Sequence, residues 1–183
     1  NLRLRNGIAP LCEMLDAGVN VALGLDSMAL NDDADLFQEM RLVANLHRSP
    51  SQQLDARQVF SMATINGAKA LGKSASLGSL ECGKQADFLL LDVSRLPVPR
   101  VALDTNIFAQ LLHYAGADTI RQVYIEGECV MDEGHHRRLD EASLRDDLYQ
   151  QLSLFGLRKV ATSQASLAEI KPYLADYLAA RRG

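Results

Sequence analysis

Val19-Asn20-Val21-Ala22-Leu23-Gly24-Leu25-Asp26-Ser27 is the stretch on which the fold turns. Large residues hold its odd positions, and two even ones carry the small Ala22 and Gly24. Such a run reads as a strand covered on both faces, as in a parallel sheet, because a strand with one wet face alternates apolar with polar. It stops abruptly at a carboxylate. In parallel α/β architectures, ligands and catalytic groups collect at the carboxyl ends of the strands. Asp26 is therefore the best single candidate for chemistry. A carboxylate at that place needs a metal, a cation or backbone N–H groups as partner. Position alone leaves a second role open, the capping of the turn that follows.

Outward from this strand the pattern is helical. Ile8, Leu11, Leu15 and Val19 recur at helical spacing, so Ala9 to Gly18 reads as a short helix. Pro10 suits its first turn and Gly18 its C-terminal end. After the strand, a helix runs from Asp35 to about His47, with Leu36, Met40, Val43 and His47 on one face. Another runs from about Asp55 to Leu71. Asp35 with Gln38, and Asp55 with Gln58, have capping-box spacing. Gly67 interrupts the second helix at a cost of about 1 kcal/mol relative to Ala; close packing against a neighbouring backbone is the expected reason. The texture then turns to β. Leu77 to Leu80 and Asp87 to Val93 read as strands around the turn Glu81-Cys82-Gly83-Lys84, and Ile107 to Tyr114 as a short helix. Gln122 to Ile125 and Glu128 to Met131 form a hairpin about Glu126-Gly127. Leu144, Leu148, Leu152 and Phe155 share a helical face, and Leu167, Ile170, Leu174 and Tyr177 mark a last helix.

Composition narrows the function classes. The chain has 183 residues, a net charge of -4 and 48% hydrophobic residues. At roughly 150 residues per domain this is one domain with an appendage, and the apolar fraction excludes wholesale disorder. A mildly acidic balance argues against nucleic acid as partner, and no apolar run approaches the ~20 residues that span a bilayer. Cys12, Cys82 and Cys129 are scattered, with no CxxC pair, which reads as a reducing, cytoplasmic compartment. The chain begins at Asn1 with Asn1-Leu2-Arg3-Leu4, which reads as the middle of a longer protein.

The remaining candidates are weaker. Asp32, Asp33 and Asp35 miss the EF-hand pattern and are expected to serve the helix N-terminus, where acidic groups meet the positive end of the dipole. His47, His113, His135 and His136 form no HxH or HExxH pair. His47 suits a helix C-terminus, His113 reads as a satisfied core histidine, and His135-His136 as solvated surface.

Taken together, Gly7-Ile8-Ala9-Pro10, Ala17-Gly18-Val19-Asn20-Val21-Ala22-Leu23-Gly24-Leu25-Asp26-Ser27 and Phe37-Gln38-Glu39-Met40-Arg41 resemble the last barrel segment of the amidohydrolase superfamily. The nearest branch is that of the deaminases and s-triazine chlorohydrolases. Ala63-Thr64-Ile65-Asn66-Gly67-Ala68-Lys69-Ala70-Leu71-Gly72 is similar to the helix after that barrel. Leu77-Gly78-Ser79-Leu80 through Asp87-Phe88 resembles the return into its β-sandwich, and Val123-Tyr124-Ile125-Glu126-Gly127-Glu128 its closing hairpin. The resemblance covers residues 1–133. It implies an α/β fold: the last part of a (β/α)8 TIM-type barrel (1–76), the C-terminal half of a small composite β-sandwich (77–133), and extra C-terminal helices (134–183). The helix near 105–115 is expected against the barrel.

The resemblance further implies one divalent metal ion, zinc or else iron, at the barrel mouth. Asp26 matches the family's metal-binding aspartate of the eighth strand, and this makes it both metal ligand and catalytic residue. The family's histidine ligands have no counterpart here; an N-terminal segment of the same protein is expected to supply them. A metal lowers the pKa of bound water from about 15.7 toward about 7, and the aspartate relays the proton to the leaving group. The implied activity is hydrolysis of a non-peptide C–N bond in a small heterocyclic substrate, above all deamination, by a homo-oligomer. Dechlorination or cyclic-amide hydrolysis within the same superfamily is the near alternative. A non-catalytic subunit that kept the fold is the distant one, and an HxH after an early strand would end that reading.

Overall fold

The computed structural model describes residues 7–26, 34–47, 54–97 and 106–154. Asp32, Asp33, Phe155 and the expected last helix of Leu167, Ile170, Leu174 and Tyr177 lie outside them. The chain divides into two compact units, Asn1–Arg137 and Arg138–Gly183.

The first unit joins a helical cluster to an antiparallel sheet. Its helices are α1 (Leu11–Asp16), α2 (Leu36–Leu46), α3 (Ala56–Ala63), α4 (Ile65–Ala70) and α5 (Ile107–Tyr114). Each long helix starts where the sequence offers a cap. The Asp35 carboxylate accepts from Phe37 N at 2.8 Å. Asp55 and Gln58 close a full capping box, with Asp55 N donating to Gln58 Oε1 at 2.9 Å. Asn106 accepts from Ala109 N at 3.0 Å at the head of α5. Gly18 and Gly72 take φ of 74° and 66° after α1 and α4, the left-handed step that ends a helix.

The apolar faces of these helices meet in one core. Leu11, Phe37, Met40, Leu54, Val59, Met62, Leu112 and Ala115 are buried together, and Phe60 and Phe108 pack at its edge with their rings edge-on at 5.3 Å. Met62 and Val59 are the two largest fully buried side chains described, each contributing about 1.5–3 kcal/mol by leaving water.

The sheet has the order β1 (Phe88–Leu91), β2 (Ile120–Ile125), β3 (Glu128–Asp132), β4 (His135–His136), with every pair antiparallel. The expected hairpin is present. Glu126 and Gly127, at φ of 52° and 81°, form its two-residue turn, and both central residues carry the positive φ that twisted strands prefer there. Phe88 and Tyr124 lie opposite each other in register, with their rings stacked at 4.5 Å.

Several expectations are corrected. Among the described residues Val19–Leu25 joins no ladder, with Val21, Leu23 and Leu25 half-buried and Ala22 and Gly24 exposed. The helix from Asp55 to Leu71 is two helices, because Thr64 breaks it at φ -132°, ψ -97°. The Thr64 hydroxyl bonds back to Phe60 O at 2.7 Å, an alternative to helical continuation that threonine offers. Leu77–Leu80 is a series of turns. Gly78, at φ 90°, is pressed against α4, a contact that occupies the segment in place of a ladder. That close approach was expected at Gly67, where the space is open. His135-His136 is not a free polar loop. A second two-residue turn, Glu133-Gly134 at φ 47° and 81°, folds it onto β3.

The second unit contains α6 (Glu141–Leu154). Ser143 N donates to Asp140 Oδ1 at 3.1 Å, capping its start. Leu144, Leu148 and Leu152 share a face, and each is at least half exposed. No helix of the described residues is long and apolar enough to cross a membrane.

Candidate active site

The geometry around Asp26 begins in α3 and α4. Val59 and Met62 anchor α3 in the core, and Ala68 is buried in α4. From this base three hydrogen bonds reach the 19–26 segment. Met62 O accepts from Leu23 N at 3.0 Å. Asn66 Nδ2 donates to Val21 O at 2.9 Å. Asn20 Nδ2 donates back to Asn66 O at 3.0 Å. The segment alternates with period two: Val21 and Leu23 pack against the core and Leu25 is half-buried, while Ala22, Gly24 and Asp26 are exposed. Asp26 closes it in the left-handed region, at φ 59°. Only a few per cent of non-glycine residues adopt that conformation, with aspartate and asparagine enriched among them. An exposed carboxylate at the end of a tethered segment is free to take a ligand.

The chemistry of that carboxylate suits a divalent ion, since aspartate oxygen is an ordinary zinc ligand. Asp26 would supply one ligand of the set. Among the described residues no group of three or more His, Cys, Asp or Glu side chains gathers. A zinc site of three or four protein ligands would need donors from outside these residues.

The other candidates sit elsewhere. Asp35 serves its helix, as expected, and also ties α2 to a distant loop. Its Oδ2 accepts from Ala117 N at 3.3 Å, and Arg41 Nη1 donates to Ala115 O at 2.5 Å. His47 terminates α2. His113 is exposed rather than a core residue. Its position on α5 follows the buried Leu112 and turns away from the core, with its ring edge-on to Tyr114 at 6.2 Å. His135 is exposed and His136 half-buried in β4. Asn20 and Asn66 were missed from sequence. Both stand inside the quoted motifs, but nothing in a linear reading pairs residues 46 positions apart.

The sequence pattern of the Amidohydrolase family matches residues 1–130, and the chain belongs to that family. It is 37% identical over 150 residues to 5'-deoxyadenosine deaminase of Methanosarcina mazei, a match over 80% of this chain and 34% of the relative. It is 35% identical over 156 residues to 5-methylthioadenosine/S-adenosylhomocysteine deaminase of Moorella thermoacetica, covering 84% and 35%. Among solved structures, an adenosine deaminase from Xanthomonas campestris with bound zinc superposes with a TM-score of 0.74 at 35% identity, over 82% of this chain and 34% of that one. The chain thus spans about a third of the length of these relatives.

Proposed function

We propose that the protein carrying this chain is a metal-dependent hydrolase that deaminates an adenine nucleoside modified at its 5' position. The observation that carries this reading is Asp26: an exposed carboxylate, held in the left-handed region at the end of a tethered segment, in a chain of the Amidohydrolase family. The names of the similar deaminases support the substrate class, and the zinc of the similar structure supports the metal.

Asp26 is one ligand of a divalent ion, zinc, and the proton carrier of the reaction. When bound, the ion acts as a Lewis acid that makes water a usable nucleophile near neutral pH. A carboxylate oxygen of Asp26 accepts the proton of the attacking water. It then delivers that proton to the departing amino nitrogen. The C–N bond breaks and ammonia leaves; the ring carbon keeps the water's oxygen, whose remaining proton passes to the adjacent ring nitrogen and so leaves a carbonyl.

Residues 1–76 form the end of the barrel that presents Asp26, 77–133 part of a composite β-sandwich, and 134–183 a helical extension. The open leucine stripe of α6 supports a homo-oligomer, and three free cysteines support a cytoplasmic setting.

The test uses the whole protein, 5'-deoxyadenosine as substrate, ammonia release and zinc content. Asp26→Asn keeps the side chain's size and removes its basicity. Turnover is expected to fall by at least about 100-fold, with zinc retention reduced. Near-normal turnover and unchanged zinc content in that variant would overturn the reading.

A further inference from the structure

The leucines of α6 lie along one side of the helix: Leu144, Leu148 and Leu152 step by four, and each is at least half exposed. Exposure alone does not say what covers them, because the chain spans about a third of its relatives' length. The chain itself offers an answer. Arg138–Gly183 is a compact unit, and α6, with 14 residues, is the element described in it. A single helix of that length is marginal in water and has nothing of its own to close on. Compactness asks for a second element from the same stretch.

The sequence after α6 supplies one. Gly156 is the residue type that ends a helix, and Ser166 with Glu169 has the spacing of a capping box that starts the next. Behind that start Ile170, Leu174 and Leu178 also step by four. Such rows are the ridges by which packed helices interdigitate. Laid antiparallel, the two rows match in one register: Leu152 meets Ile170, Leu148 meets Leu174 and Leu144 meets Leu178. Phe155 and Leu167 extend that register at one end. At the other, one turn further out, Glu141 and Arg181 set opposite charges face to face. A shift of one turn either way leaves one residue of each row unmatched, and in one direction it puts Arg181 against Arg145. A charged pair beside an apolar seam selects register in this way. Pro172 falls on the far side of the second row, where the bend it causes leaves the row intact. The nine residues 157–165 between the two arms reach up to about 30 Å, well over the about 8–10 Å between the axes of packed helices.

We propose that the leucine face of α6 is the docking surface for residues 166–182 of the same chain, which fold back on it as the second arm of an antiparallel helical hairpin. The pairing does not rest on the reading of Asp26. It takes the α6 leucines for the chain's own use, so a second copy in a homo-oligomer meets the paired arms and not bare α6.

Hydrogen exchange of the whole protein, read by mass spectrometry on peptides from 141–154 and 166–182, tests this. In the parent both stretches should be protected. Leu174→Asp should lower the protection of α6, and Leu148→Asp that of 166–182, each by about 10-fold or more, as expected for the loss of one buried leucine. Glu141→Arg and Arg181→Glu disturb the fold less and should each lower protection by about 2–5-fold. The protein carrying both charge changes should recover it. The two single variants, co-expressed, should not, because the pair lies within one chain. Recovery in the co-expressed proteins would give the face to a second copy and overturn the proposal. So would an unprotected 166–182 in the parent. Loss of protection outside 138–183 in Leu148→Asp, with 166–182 unchanged, would give the face to the rest of the protein and overturn it as well.

Discussion

Gly78 sits so close to Ile65 that a Cβ built on it would stand 2.8 Å from the Ile65 Cα, and 2.7 Å from the Ala68 Cβ. Its φ is also 90°. Substitution by alanine meets both obstacles: backbone strain of about 1–2 kcal/mol and overpacking of about 1–3 kcal/mol. Gly78→Ala should therefore destabilise by roughly 2–5 kcal/mol in chemical denaturation. Gly67, inside α4, has nothing within 4 Å of a built Cβ. Gly67→Ala should stabilise by about 0.5–1 kcal/mol. Equal effects of the two substitutions would contradict the packing described.

The two glycines also mark where sequence reading succeeds and fails. Capping-box spacing made the starts of α2 and α3 legible at Asp35 and Asp55, and Glu126-Gly127 announced its hairpin, because both signals are local. Gly67 was expected to be the packed glycine because it interrupts a helical pattern; the packed one lies outside any pattern, in a segment expected to be a strand. Thr64 broke the helix through a side-chain bond that competes with the backbone, and no spacing rule shows it. The Glu133-Gly134 turn repeats Glu126-Gly127 seven residues on, a signal passed over when the two histidines after it are read as solvated surface. For the candidate site, Asp26 stood out as the carboxylate that ends an apolar run, and the resemblance gave it a role. The Asn20–Asn66 clasp was beyond reach, because it exists only once α4 lies beside the segment.

Asp35 links two parts of the core. Its carboxylate caps α2 through Phe37 N and also accepts from Ala117 N. Loss of a cap costs about 1 kcal/mol, and the unpaired Ala117 amide adds to this. Asp35→Ala should cost about 1–2 kcal/mol, whereas Asp35→Asn, which retains an acceptor for Phe37 N, should cost less than half of that. Denaturation midpoints with unchanged m-values would check this. Equal losses for asparagine and alanine would mean that charge, which both remove, rather than hydrogen bonding governs the site.

Acid should loosen the sheet's flanks before neutral pH does anything. Ser94 donates to Asp92 Oδ1 through its hydroxyl at 2.6 Å and its N–H at 3.1 Å, and these bonds hold the carboxyl below its ordinary value of 3.8. Ser79 and Lys84 likewise hold Glu81 below 4.5. A carboxylate whose pKa is lower folded than unfolded contributes its full stability above the unfolded value, and loses it as pH falls through the folded one. The melting temperature should thus lose this contribution only below about pH 4.5. Asp92→Asn keeps an acceptor for Ser94 but cannot titrate, so its acid limb should be shallower than that of the parent. Parallel curves for the two proteins would remove Asp92 from the account.

Glu126 and Glu133 occupy the same place in consecutive two-residue turns, at φ of 52° and 47°, yet replacement by asparagine should separate them. Asparagine tolerates the left-handed region better than glutamate, because its short side chain bonds locally. That relief is worth roughly 0.5–1 kcal/mol. At Glu126 little opposes it: the side chain makes one exposed bond, from Gln85 Nε2 at 3.2 Å. At Glu133 the carboxylate bridges two cations, Arg95 Nη2 at 2.5 Å and Arg121 Nε at 2.8 Å. Exposed ion pairs contribute about 0–1 kcal/mol each, and two of them on one carboxylate offset the backbone gain. Arg95 also donates to Asp118 O at 2.8 Å, so loosening it frees a second attachment. Glu126→Asn should therefore raise stability by about 0.5 kcal/mol, and Glu133→Asn should be neutral or destabilising. Salt discriminates further: 1 M sodium chloride screens exposed pairs, so the deficit of Glu133→Asn relative to the parent should shrink while the gain of Glu126→Asn persists. Equal gains for both substitutions at low salt would show that the bridge across Arg95 and Arg121 contributes nothing, leaving backbone strain as the one governing term in both turns.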